Sequence, residues 1–145
     1  MRHNRLSACL VVMFAISGIS VWCQSGLSEV QGKWREVSRT TEGAAVTEGL
    51  AIITQEATGK MTTSVGGQVV YVGTARIGTV KVPRNIDYVQ TSPGEGQGKI
   101  RQGIYEFKGE TLRVCLAPPG VPRPKEFEAP EGSKFVLSEY TREKP

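Results

Sequence analysis

Apolar positions in this chain fall in short runs, roughly five to eight residues long, that alternate with polar ones and are broken by Gly or Pro about every ten residues. That period belongs to half-buried strands. The clearest case is 111–117, where Leu112, Val114 and Leu116 share one face and Arg113 takes the other. Tyr105 and Phe107 alternate in the same way before the Lys108-Gly109 turn, so they share one face of the same hairpin. Further strands are expected at 32–37, 50–55, 60–65, 68–74, 85–91, 101–107 and 135–141. Gly66-Gly67 separates two of them and predicts a two-residue hairpin, because a type I′ turn needs positive φ at both central positions. A helical turn over 27–31, capped by Ser28, precedes the first strand. About eight antiparallel strands in one domain give an all-β, up-and-down barrel whose interior side chains largely fill.

The first 25 residues follow another pattern. Arg2 and Arg5 precede an apolar stretch from Leu10 to Val21, and no acidic residue appears before Glu29. This is the layout of a secretory signal peptide, with small residues permitting cleavage after Ser20 or, preferably, after Ser25. The expected organisation is a signal peptide over 1–25 and a barrel domain over 26–145, secreted or periplasmic. The apolar stretch is short for a membrane span, and no other segment approaches about 20 apolar residues, so no transmembrane helix is expected. Cys23 permits a minor alternative, a lipid anchor on that thiol, against which bulky Trp22 stands where such signals carry a small residue.

Composition then removes chemistry. The only histidine is His3 and the only aspartate Asp87, so a chain starting after Ser25 has no imidazole for Ser-His-Asp or Cys-His catalysis or for His-based zinc sites. Of the cysteines Cys9, Cys23 and Cys115, only the last remains, flanked by apolar residues on a strand and expected to be a buried, inert thiol. Losing Arg2 and Arg5 leaves 16 basic against 14 acidic side chains, too even a balance to favour nucleic acid. No cofactor or metal is expected.

Three stretches invite a functional reading. The glycines of 94–99 superficially resemble a phosphate loop, but the chain continues as a strand, so an ordinary loop is expected. Glu126 and Glu128 sit at a spacing compatible with paired-carboxylate hydrolysis, yet their Pro-rich, charged setting predicts solvated side chains with no cleft to shift a pKa. Pro118, Pro119, Pro122 and Pro124, with Arg123, either dock a partner's aromatic groove or form a stiff structural connection, and the structural reading is preferred.

Gly32-Lys33-Trp34, together with Arg142 near the last strand's end, resembles the lipocalin-type barrel. That likeness implies that the Trp34 indole closes one barrel end with the Arg142 guanidinium over it. The chain also resembles a family of secreted domains abundant in planctomycete bacteria, through that opening, Gly103-Ile104-Tyr105-Glu106, Thr111-Leu112-Arg113-Val114-Cys115 and the segment from Pro119 to Phe127. This resemblance implies an exported, lipocalin-like barrel and supplies no enzyme activity. The function expected is non-catalytic binding of a small apolar or amphipathic ligand at the barrel mouth, with Tyr71, Tyr88, Tyr105 and Phe107 as candidate lining residues. Ordinary core packing accounts for each of the four as well. The alternative is a monomeric cell-envelope module that binds protein through the Pro-rich loop or a strand edge; a hydrolase using Glu or Lys chemistry comes last. A continuous interior cavity above about 300 Å³ separates the first reading from the second.

Overall fold

A computed structural model describes residues 24–145, and positions 1–23 of the expected signal peptide, with His3 and Cys23, lie outside the described residues. After a short helix α1 (Gln24–Val30) come nine strands: β1 (Gly32–Thr41), β2 (Ala44–Val46), β3 (Ala51–Gln55), β4 (Lys60–Val65), β5 (Gln68–Ile77), β6 (Arg84–Gln90), β7 (Ile100–Lys108), β8 (Thr111–Leu116) and β9 (Val136–Arg142). Each strand from β3 onward pairs antiparallel with its successor, and β9 returns to β1 over Trp34 to Thr41. The result is a closed eight-stranded up-and-down barrel, with β2 as an additional strand. Closure leaves no long open edge for a second chain to extend.

Two differences from the sequence reading have local causes. Strand β1 runs on to Thr41 because a bulge at Val37, between Glu36 and Ser38, interrupts its alternation without ending its pairing with β9. Beyond the bulge its other edge passes from β3 to β2, a three-residue strand too short to show a period. The Ser28 cap is also corrected: α1 begins at Gln24, which places Ser28 inside the helix. The Gly66-Gly67 turn is as expected, with φ of 58° and 82°.

Inward-facing residues pack into one cluster of Leu27, Val30, Trp34, Ile53, Ile77, Tyr105, Leu112 and Val114. The cluster fills one end of the barrel, under α1. There Trp34 Nε1 donates to the Val30 carbonyl at 2.8 Å, and the Arg142 guanidinium lies 4.1 Å from the indole centroid. Arg142 also donates to the carbonyls of Glu29 and Gln31, placing a cation on acceptors left free at the end of α1. The Glu143 amide bonds to the Lys33 carbonyl at 2.8 Å, so both ends of the described chain meet at this closed end. Among the described residues no helix is long and apolar enough to cross a membrane.

A second, smaller core lies outside the barrel. Ile104 and Cys115 are paired neighbours facing away from the interior, yet both are buried, as are Ala117, Pro124 and Ala129. The connection from β8 to β9 covers them. Arg123 fastens it, pairing with Asp87 at 2.7 Å and donating to the carbonyls of Gly103 (2.6 Å) and Ile86 (3.1 Å). Cys115 Sγ donates to the Glu128 carbonyl at 3.4 Å, and burial pushes the thiol pKa up. The prolines thus stiffen a strap across the outer sheet face, while Glu126 and Glu128 point to solvent.

Candidate functional site

The end opposite Trp34 is not filled. A cavity of about 490 Å³ runs into the barrel there, its walls set by the period-two alternation of the eight barrel strands. Ile53, Met61, Val65, Ile86, Leu112, Val114 and Leu116 are the larger apolar side chains of its middle. Polar groups enter at defined places.

Strand β1 contributes Glu36, two residues beyond Trp34 on the same face. It is fully buried and fully bonded, accepting from Arg39 Nε at 2.9 Å, from Arg39 Nη2, from the Ala51 amide at 2.8 Å and from Ser138 Oγ at 2.6 Å. A buried carboxylate needs this set of donors, since desolvation of an unpaired one costs several kcal/mol, about the strength of the interactions it would lose. The bond to Glu36 raises the Arg39 pKa, and burial, helped by the Glu36 charge, pushes the pKa of neighbouring Tyr140 up to about 12.

Strand β7 contributes Arg101 near the mouth. Its Nε donates to the Ala117 carbonyl at 3.3 Å, and among the described residues no carboxylate pairs with it. Burial lowers its pKa, while Tyr140, Tyr88 and Tyr71 act on it electrostatically in the opposite sense. Outward from Arg101 the cavity opens into a vestibule between the 91–99 loop and Pro118-Pro119, and Tyr71, Tyr88 and Arg101 border both spaces. The 91–99 loop is held by Gln90, whose carbonyl accepts from the Gly98 amide at 2.8 Å and whose side chain donates to the Ser92 carbonyl at 3.1 Å. It leads directly into β7, with no helix for an anion to cap.

Three of the four candidate tyrosine and phenylalanine positions come together on this cavity. Tyr71 stands at the rim, 50% exposed; Tyr88 is buried in the wall; Tyr105, 0% exposed, lies deepest with its hydroxyl beside Arg84. Tyr88 reaches its place because β5 carries Gly73 beneath it: a Cβ on Gly73 would sit 2.4 Å from the Tyr88 ring. Burial raises the Tyr88 pKa, and its hydroxyl has no hydrogen-bond partner among the described residues.

Phe107 is a correction, since it does not line the cavity. It shares the inward face of β7, but six residues of strand carry it about 20 Å from Arg101 to the closed end. There it is 36% exposed and packs on Trp34 and Tyr105 at centroid distances of 6.1 and 6.2 Å. Glu36, Arg39, Arg101, Ser138 and Tyr140 were not singled out from the sequence. The signal was present: Arg101 lies four residues before Tyr105 and Glu36 two after Trp34, both even steps along a strand. Among the described residues, no group of three or more His, Cys, Asp or Glu side chains could hold a metal ion. No family model, curated protein or solved structure matches the chain.

Proposed function

We propose that this chain is an exported, non-catalytic binding protein that holds a small amphipathic molecule inside its barrel, entering from the end bordered by Tyr71 and Arg101. The cavity of about 490 Å³ carries this reading, because it falls within the range of small-molecule sites and combines a hydrocarbon lining with few, localised polar groups. Membership of the secreted planctomycete domain family, and the export that residues 1–25 would direct, belong to the same proposal. The Pro-rich strap, turned inward through Arg123 and covering Cys115, favours the cavity over the strap as the binding element.

A thermal-shift screen of the purified chain against fatty acids, isoprenoids and cell-envelope lipids tests the proposal. A ligand present at a hundred times its Kd stabilises the fold by about 2.7 kcal/mol, a shift of several degrees. Thr63→Phe, which adds a ring to the cavity wall, is expected to abolish that shift while the protein stays folded. A screen without any stabilising compound would remove the ligand reading.

A further inference from the structure

The cavity contains two arginines in opposite electrostatic situations. Arg39 has its counter-charge in Glu36, and that carboxylate has no lone pair left unengaged for a distant partner. Arg101 has none. One of its five N–H donors reaches the Ala117 carbonyl, and the groups that face it from β5, β6 and β9 are the phenols of Tyr71, Tyr88 and Tyr140. Beside it the Tyr88 hydroxyl, on a residue 6% exposed, has no partner among the described residues although buried hydroxyls ordinarily find one. The Arg101 side chain and the Tyr88 residue thus border the same space, where the hydrocarbon-lined cavity meets the vestibule, with the Tyr88 hydroxyl itself closed off just behind the wall. Farther out, Lys99 and Glu95 both line the vestibule.

Resting on the reading of the barrel as an amphiphile-binding cavity, we infer that the guest is an anionic amphiphile with a carboxylate head: Arg101 pairs with the carboxylate, Tyr88 donates a hydrogen bond to it, and the tail runs inward among Ile53, Met61, Leu112 and Val114. The planar guanidinium matches a carboxylate in two parallel hydrogen bonds, which an alcohol head cannot reproduce. A cationic head would meet Arg101 as a like charge.

Calorimetric titration of the full chain with decanoate, decanol, decyl phosphate and decyltrimethylammonium, which share one tail length, provides the test. Decanoate is expected to bind about ten- to a hundredfold more tightly than decanol, the range of a charge-assisted hydrogen bond, and the cation most weakly. Arg101→Gln should bring decanoate down to decanol while leaving decanol unchanged. Arg101→Lys should keep part of the preference, and Tyr88→Phe should cost decanoate several-fold and decanol nothing. Comparing heads on the unaltered protein keeps the test valid should Arg101→Gln not fold. Equal binding of decanoate and decanol would overturn the assignment of the head group while leaving the amphiphile cavity standing. A tenfold preference for decyl phosphate over decanoate would overturn the carboxylate in favour of a phosphate head, and failure of all four compounds to bind would overturn both proposals together.

Discussion

Glu36 and Arg39 lie in a part of the barrel where a single substitution and a paired one have opposite consequences. Glu36→Gln leaves the part-buried Arg39 without its counter-charge and is expected to cost about 3 kcal/mol in urea denaturation, the low end for a buried pair because Arg39 is a quarter exposed. Replacing both, as Glu36→Leu with Arg39→Met, should recover part of that loss, because no charge is left unpaired although the Ala51 amide and Ser138 hydroxyl lose their acceptor. Gly73 is constrained by its neighbour: Gly73→Ala sets a methyl against the Tyr88 ring and the Val89 carbonyl and should cost about 1–3 kcal/mol, read from the same denaturation curves. Tyr140 makes the fold sensitive to alkali. Its folded-state pKa of about 12 exceeds the ordinary value of 10.0, so above pH 10 the unfolded chain loses this proton first and binds fewer protons than the folded one. Stability therefore falls as pH rises from about 10 to about 12, and Tyr140→Phe should flatten the decline in the urea midpoint across that window without abolishing it, since burial raises Tyr88 and Tyr105 in the same direction. Little of this was legible in sequence. A glutamate two residues after a tryptophan carries no mark that Ser138, about a hundred positions away, will donate to it.

At the scale of elements, alternation identified eight strands because each buries one face, and it located the hairpin at Gly66-Gly67 because that turn has a backbone requirement few residues meet. It missed β2, whose three residues span too few positions to alternate, and it ended β1 early at the Val37 bulge, where the face exposed to the interior changes. The Pro-rich strap was read as structural from its prolines. Burial of Cys115 was expected from its apolar neighbours and is observed, but the strap as its cover was hidden, because Ile104 and Cys115 lie on the face that alternation assigns to solvent. Arg123→Met should loosen the strap, lowering stability by about 1–3 kcal/mol through loss of hydrogen bonds to a charged group. It should also speed modification of Cys115 by a thiol reagent, followed by mass spectrometry of the peptide bearing it. Arg123→Lys should restore little, since one ammonium cannot serve Asp87 and two carbonyls in the same geometry.

The whole molecule depends on one long-range event, the return of β9 to β1. Before that pairing forms, β1 and β9 each present an open edge; after it, the circuit of the sheet is complete. A chain ending at Lys134, without β9, is expected to lack the barrel altogether, visible as loss of the strand signal in far-ultraviolet circular dichroism. The barrel class followed from strand number and connection length. The cavity did not, because its volume is a small difference between the space eight strands enclose and the side chains that occupy it, and neither quantity is written in the order of residues. Finally, the contacts of Arg142 and Glu143 with the backbone at Glu29, Gln31 and Lys33 give the barrel a handle. Anything joined through Gln24 or through Pro145 departs from the end that Trp34 seals. A tether, tag or surface attachment at either terminus therefore holds the molecule with its entrance facing outward, and a circular permutant that links the two termini and opens the chain at Gly66-Gly67 would turn that orientation around.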